Sequence, residues 1–452
     1  LSLTDMTKQH QLKNPITDLY ASHFQGTNHS QVETSDDLLQ QESFVPLQEF
    51  TKIHKLSDID YSNCPETFLD KAKNLVDKYP DCFSKHKLDV GNCSERNDIY
   101  MSLQTIKDKV SCDKKRPLSG IHLEYAEKVV AHYVKAGLMT ESYDSPFRSN
   151  LNIVRKKTES TESFAKAGLS RLEDTRKLRL VFDVRSLNQI TKVKTPSSLP
   201  TIDSVHRKLN KKYVIVSDLN NAFSHLRIKP SDCHKTSFYL NHKVYKCLMV
   251  VQGLTNSPYI CTKFTSIVFS QNRFNIALTK LSEKDRLRIS SFIIDDILEI
   301  YMDDVFLFHE DPEILLIIYE AFLIMCRLGD VKMAPSKTSI LTTKLNILGI
   351  FINTMDGELS LDQAKIKALI EIDRPNSLYA LHSRLAQFLY IIKYLPLLQF
   401  FLFPLSLMLK TKTFIWTEIE EQAWQSLLLL IKLNVKLAIP DKEENLATPR
   451  TQ

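Results

Sequence analysis

Apolar and polar positions follow different rhythms along the chain. Residues 1 to about 60 are polar, acidic and rich in Gln, Ser and Thr with little periodicity, which predicts a largely disordered extension. Apolar residues then recur at helical spacing, predicting helices over Glu66–Lys78 and His122–Ala136, the second stopped by Gly137. Leu151–Val154 and Leu178–Phe182 read as strands, and the polar segment 158–177 as an exposed insertion between them. From Tyr213 onward the pattern changes to short runs rich in β-branched residues. The strand candidates there are Tyr213–Ser217, Val244–Val251, Ile297–Met302, Val305–Phe308 and Leu345–Ile352. Asp356 and Gly357 read as a hairpin turn before Leu359. The remainder reads as helical, with Ser360 and Gln363, then Thr417 and Glu420, as capping boxes and Pro375 closing the first helix. The most apolar stretch, Tyr394–Leu409, is only 16 residues long and carries Pro396, Gln399 and Pro404. Spanning a bilayer takes about twenty apolar residues, so buried helices are expected and no membrane partner. The pattern is that of an α+β protein with a helical C-terminal part.

Length refines this picture: 452 residues at about 150 per domain imply roughly three domains or subdomains. Glycine is scarce, with 9 residues and no G-x-G pair, which excludes Walker-type phosphate loops and dinucleotide fingerprints. Phosphate chemistry in this chain therefore requires metal and cations. The eight cysteines show no C-x-x-C spacing, which argues against zinc modules and a disulfide framework and for a reducing compartment. The chain opens at Leu1 without an initiator Met or signal peptide, as expected of a piece of a longer reading frame.

The net charge of +6 conceals an asymmetry. Residues 1–100 carry 10 basic and 16 acidic side chains, whereas residues 101–212 carry 23 and 12. A basic block of that kind is the footprint expected for a polyanion such as nucleic acid, and a solvated Lys-rich surface is the alternative. Two carboxylate features stand out. Asp303 and Asp304 interrupt a pair of apolar strands, and Asp218 ends the run Val214–Ser217 before the chain turns. If those strands are neighbours the three carboxylates converge, and convergent carboxylates favour a hard cation such as Mg²⁺ or Mn²⁺. Two such ions suit phosphoryl transfer. An acid pair at a turn is also ordinary turn chemistry, and Asp295 with Asp296 is an equal pair that belongs to no wider pattern.

The wider pattern is in the order of blocks. The chain reads LysLeuArgLeuValPheAspValArgSerLeuAsnGlnIleThr (177–191), LeuProThrIle (199–202), SerAspLeuAsnAsnAlaPhe (217–223) and GlnGlyLeuThrAsnSerPro (252–258). TyrMetAspAsp (301–304), ProSerLysThr (335–338) and LeuGlyIlePheIle (348–352) follow. This series resembles the reverse transcriptase of LTR retroelement Pol polyproteins, of gypsy-type retrotransposons and retroviruses. Residues 77–84, 145–147 and 414–417 extend the likeness outward. The resemblance implies a right-hand polymerase of fingers, palm and thumb, with a ferredoxin-like antiparallel palm sheet and a helical thumb. The implied division is a lead-in and fingers over 61–210, and a palm over 211–358 that includes fingers elements at about 226–258. A thumb and start of a connection over 359–440 and a tail over 441–452 complete it.

Carried over by residue, the resemblance makes Asp218, Asp303 and Asp304 the metal-binding and catalytic carboxylates, holding two Mg²⁺, with Mn²⁺ as substitute. Lys337 matches the lysine near the leaving pyrophosphate, a general acid. Arg179, assisted by Lys156, matches the triphosphate contact. Phe223 matches the aromatic whose ring excludes a ribose 2′-OH, and Gln252, Gly253, Tyr301 and Met302 lie beside the incoming nucleotide. Leu348 and Gly349 resemble the primer grip, and Lys365 and Lys367 track duplex phosphates.

The implied activity is RNA-directed and DNA-directed DNA polymerisation, with dNTPs and a primed RNA or DNA template as partners. Dimerisation or association with other Pol or Gag products fits the same family. The implied location is the cytoplasm, in a virus-like particle or reverse-transcription complex, or the nucleus. The stretches 158–177 and 271–296 are longer than the family pattern, and no protease, RNase H or integrase signature is found in the sequence. A catalytically inactive, domesticated descendant that binds nucleic acid is the competing reading.

Overall fold

The computed structural model describes residues 50, 52–143, 145–155, 178–194, 205, 208–347, 349–395, 397–411, 413–433 and 437–438. At its centre lies a four-stranded antiparallel sheet in the order Ser339–Thr342, Tyr213–Asp218, Asp304–His309, Leu298–Tyr301. Successive strand side chains point to opposite faces, and this sheet uses both. Ile215, Val305 and Leu307 pack with the helix Pro312–Gly329 and the N-terminal elements, whereas Val214, Phe306 and Phe308 pack with the C-terminal part. That is why these runs are continuously apolar.

The helix Pro312–Gly329 is capped by Asp311, which accepts from the amides of Glu313 and Ile314, and it places Pro312 where no amide is needed. It is apolar nearly all round because the sheet, the helix Glu66–Lys78 and the helices of 257–289 enclose it. The stretch 271–296, longer than the family pattern, forms three short helices, Gln271–Leu278, Glu283–Ile289 and Ile294–Ile297.

Asn150–Arg155 and Leu178–Asp183, both expected as strands, pair antiparallel, and segment 158–177 lies outside the described residues. Beside them Met139–Glu141, Lys243–Cys247 and Phe238–Leu240 form a three-stranded sheet. The expected strand Val244–Val251 is shorter, ending at Cys247, because Leu248 and Val250 hydrogen-bond outside that ladder to Leu138 and Leu226. Helix Glu66–Lys78 has the expected bounds, and the second helix runs Gly120–Lys135. Phe50 and Ile59, read with the acidic extension, are buried, and Phe50 stacks on His132.

The C-terminal part brings corrections. The run Leu345–Ile352 is not one strand but two, Lys344–Ile347 and Ile350–Asn353, folded back at Gly349, whose φ of +82° suits glycine. The hairpin at Asp356 and Gly357 then leads into Glu358–Leu361. Ser360 lies in that strand, so the helix Gln363–Ile370 is capped instead by Asp362, which accepts from the Ala364 amide. Glu420 does accept from the Thr417 amide, at the start of Glu418–Leu433. The helix Leu398–Thr411, expected to be buried, buries Leu398, Leu402, Leu405 and Met408 but leaves Phe400 and Phe403 64% and 68% exposed. Among the described residues no helix is long and apolar enough to cross a membrane.

Candidate active site

Asp218 is the last residue of its strand and Asp304 the first of the neighbouring one, and the register sets them directly opposite. Opposite residues of an antiparallel pair project from the same face, so two carboxylates meet there by topology. Asp303 completes the group from the two-residue turn between Tyr301 and Asp304, where Met302 holds a left-handed φ of +59°. The turn is fixed to the opposite strand by the Leu219 amide, which donates to the Asp303 carbonyl at 2.9 Å. Lys337, on the turn Pro335–Lys337, reaches Asp218 with its ammonium 2.8 Å from Oδ2.

The electrostatics follow from this crowding. Burial pushes the Asp218 carboxyl up, Lys337 opposes it, and Asp303 adds repulsion. Asp304 is pushed up to about 6, first by burial and then by Asp218 and Asp303, against Lys337. Carboxylates held at such mutual cost are a donor set that a hard divalent cation would relieve. Among the described residues no three such side chains form a preformed metal cage, and the Lys337 ammonium supplies the counter-charge at Asp218. By contrast, Asp295 and Asp296 are exposed on their short helix, outside the strand register that joins Asp218 to Asp304.

A second group lies around the strand Leu178–Asp183. The Arg179 guanidinium donates to the Gln252 side-chain oxygen, so two residues 73 positions apart meet. Gly253 adopts a φ of +96°, and a Cβ there would touch Val184 at 3.4 Å. Its loop is clamped by two asparagines that received no role from the sequence. Asn188 donates to the Gly253 carbonyl at 2.7 Å and accepts from the Thr255 amide at 2.9 Å, and buried Asn256 ties to Lys192 and Lys194. Both asparagines lie inside the quoted blocks, which was the available signal. Phe223 is half-buried on the turn Ala222–His225, where His225 is wholly buried and accepts from the Lys332 amide at 3.0 Å. Burial lowers that histidine to about 4.

The primer-grip candidates are only partly brought together. Leu348 and Lys156 lie outside the described residues. The position a Cβ would take on Gly349 is 3.5 Å from the Lys365 stem, and the Lys365 ammonium sits 5.2 Å from the centre of the Tyr390 ring. Lys367 does not join Lys365: two residues along a helix are about 200° apart, and Lys367 faces solvent beside Glu371 at 3.9 Å. Arg116, within the basic cluster Lys114–Arg116, donates to buried Asp183 together with Arg185. Arg185 first, against the cost of burial, holds the Asp183 carboxyl well below the usual range, with Arg116 assisting.

Residues 154–352 match the family model described as reverse transcriptase (RNA-dependent DNA polymerase). A Gag-Pro-Pol polyprotein of sheep pulmonary adenomatosis virus is 26% identical over 224 residues, covering 46% of this chain and 10% of its own length. The retrovirus-related Pol polyprotein from transposon gypsy of Drosophila melanogaster is 23% identical over 337 residues, covering 72% of this chain and 29% of its own. Among solved structures, the foamy viral protease-reverse transcriptase in complex with double-stranded DNA superposes with a TM-score of 0.64 at 18% identity. That match covers 91% of this chain and 64% of the other. The same protein in complex with an RNA/DNA hybrid gives 0.62 at 16%, over 88% and 48%. The fold is therefore the right-hand polymerase fold. Residues 154–352 thus match a reverse transcriptase domain, and the chain is similar to Pol polyproteins of gypsy-type transposons and retroviruses.

Proposed function

We propose that the chain is a template-directed DNA polymerase that extends a primer 3′-OH with dNTPs on RNA or DNA. The observation that carries the proposal is the strand register setting Asp304 against Asp218, with Asp303 on the adjoining turn. These three carboxylates would hold divalent ions, two Mg²⁺ on this reading with Mn²⁺ as substitute. When bound, such ions activate the attacking hydroxyl and neutralise the phosphoryl group.

In the reaction the primer 3′-oxygen bonds to the α-phosphorus, the bond to the β-phosphate oxygen breaks, and pyrophosphate leaves. Arg179, held by Gln252, offers further N–H donors to the triphosphate, with Lys156 as its assistant. Lys337 gives a proton to the departing pyrophosphate, a role suited to an ammonium that already touches Asp218. Phe223 stands five residues after Asp218 and would clash with a 2′-OH, selecting deoxynucleotides. Gly253, Tyr301 and Met302 line the nucleotide. Leu348, Gly349 and Lys365 hold the primer, and Lys367 meets the duplex backbone from the outer face of its helix.

The foamy viral relatives are seen with an RNA/DNA hybrid and with double-stranded DNA, and the same substrates are proposed here. This chain spans about a third or less of the length of the curated relatives it matches, so the proposal concerns the polymerase step alone. Primer extension on a primed RNA and a primed DNA template, with Mg²⁺ or Mn²⁺, tests it. Metal-dependent extension on both is expected; binding without extension would instead favour the inactive nucleic-acid-binding descendant.

A further inference from the structure

The turn that carries Phe223 does little to support itself. Ala222–His225 is a single turn of 3₁₀ helix, closed by the Ser224 amide on the Asn221 carbonyl at 2.7 Å and the Leu226 amide on the Phe223 carbonyl at 3.1 Å. Hydrogen bonds of such turns are poorly aligned, so where a side chain on one stands depends on what holds the turn from outside. Asn221 opens it with φ +50° and ψ +57°, a left-handed conformation that Asn adopts more readily than most residues.

Three polar side chains around Phe223 tie the turn to two other segments. Buried Asn220 donates from Nδ2 to the carbonyls of Lys87 at 3.3 Å and Asp89 at 3.0 Å, and Asn221 donates to the same Lys87 carbonyl. On the other side wholly buried His225 accepts at Nε2 from the Lys332 amide at 3.0 Å, and the Lys332 carbonyl accepts from the Asn220 amide at 2.9 Å. Burial keeps that ring neutral, which leaves Nε2 its lone pair. The two segments are themselves joined. Lys332 Nζ lies 2.6 Å from Asp89 Oδ1, and Asp330 Oδ2 accepts from the Asn92 amide at 2.7 Å. A Cβ on Gly91 would fall 1.8 Å from the Asp330 carbonyl oxygen, so the loop 86–92 lies directly against that segment. Turn, loop and the segment 330–332 therefore close a ring of contacts. Buried Asn and His cost desolvation that apolar residues would not, so their use at these positions lies in the bonds they make.

We infer that Asn220, Asn221 and His225 are positioning residues for nucleotide selection: together with the loop 86–92 they set how close the Phe223 ring stands to the sugar of an incoming nucleotide. Exclusion of a hydroxyl by a ring holds only while the ring cannot retreat, and a shift of about 1 Å at an active site is enough to change rates strongly. The inference rests on the polymerase reading and on Phe223 as the aromatic beside the sugar. It adds the residues that fix that ring, and it brings into selection a loop that belongs to none of the motif blocks.

The test measures single-nucleotide incorporation of dTTP and of UTP on poly(rA)/oligo(dT) by the full chain, by Asn221→Gly, by Phe223→Val and by the double variant. Glycine keeps the left-handed backbone without steric cost and removes only the side-chain amide. In Asn221→Gly the ratio of kcat/KM for dTTP to that for UTP should fall about 3- to 10-fold, the worth of one hydrogen bond, chiefly through a lower KM for UTP. In the Phe223→Val background the same substitution should change the ratio by less than about twofold, because it acts through the ring that is no longer there. Gly91→Ala, whose added methyl must push the loop off Asp330, should lower the ratio in the same direction. His225→Gln, which retains an acceptor for the Lys332 amide, should keep more of the ratio than His225→Leu. An unchanged ratio in active Asn221→Gly, or an equal fall with and without the Phe223 ring, would overturn the inference while leaving the polymerase reading intact. An unchanged ratio in Phe223→Val would remove the gate and the inference together, and a wild-type chain that incorporates no dTTP would refute the polymerase reading and with it the inference.

Discussion

The crowding at Asp304 has a thermodynamic signature that is independent of catalysis. Its carboxyl titrates near 3.8 when free and near 6 in the folded chain, because burial, Asp218 and Asp303 disfavour its charge. At about 1.4 kcal/mol per tenfold change in ionisation, that difference corresponds to about 3 kcal/mol, and partial exposure to solvent reduces it to about 2. The sign follows from proton counting. Below pH 3.8 the group is protonated in both folded and unfolded chains and has no effect. Between 3.8 and 6 the folded chain binds more protons, so stability falls as pH rises, and above 6 the full cost is present. Asp304→Asn removes the charge and keeps the shape. It should therefore stabilise the fold by about 2 kcal/mol at pH 8 and leave it unchanged at pH 3.5, while abolishing extension. Urea melts of both chains at the two pH values, with EDTA present so that metal cannot favour the wild type, measure this difference. A variant that is no more stable than wild type at pH 8, or equally stabilised at both pH values, would refute the argument that these carboxylates repel one another in the folded chain.

Other expectations follow from single contacts. Phe223→Val should lower discrimination against ribonucleotides by tenfold or more, measured as the ratio of kcat/KM for dNTP and rNTP, since a side-chain clash with a 2′-OH is worth at least about 1 to 3 kcal/mol. Lys337→Met should reduce single-turnover incorporation while raising the pH at which activity appears, because Lys337 opposes the upward shift of both Asp218 and Asp304. Lys114→Glu should weaken duplex binding almost equally for all sequences, because phosphate contacts position without reading bases. Arg116→Glu should in addition lower the melting temperature, because it leaves buried Asp183 facing a second carboxylate.

The legible part of the site was the part encoded locally. A run of β-branched residues ending in an acid, and two acids between two apolar runs, fixed both strands and both ends, so the meeting of Asp218 and Asp304 followed once the strands were neighbours. Boundaries that depend on one backbone angle were harder. The run from Leu345 to Ile352 reads as one continuous strand until Gly349 turns it back, and Asp362 outcompetes Ser360 as a cap because Ser360 is already held in a ladder. Burial of the helix Leu398–Thr411 is only partial, since composition counts apolar residues without saying how many faces have a neighbour; Phe400 and Phe403 are 64% and 68% exposed. Ion pairs across sequence were least legible. Arg116 belongs to the basic stretch read as a polyanion footprint, but its partner Asp183 is 67 residues away, and the lysine pair at 365 and 367 reads as one feature although helical geometry separates them.

The central claim is that Asp218, Asp303 and Asp304 make this chain a metal-dependent polymerase, and single-turnover incorporation of dTMP on poly(rA)/oligo(dT) tests it most directly. The purified chain should incorporate dTMP only when Mg²⁺ or Mn²⁺ is present, Asp303→Asn should bind the same primer–template but incorporate at least a thousandfold more slowly, on the order of 4 kcal/mol in the barrier, and Asp295→Asn should match wild type. Incorporation that survives Asp303→Asn, or that is lost equally with Asp295→Asn in folded protein, would contradict it.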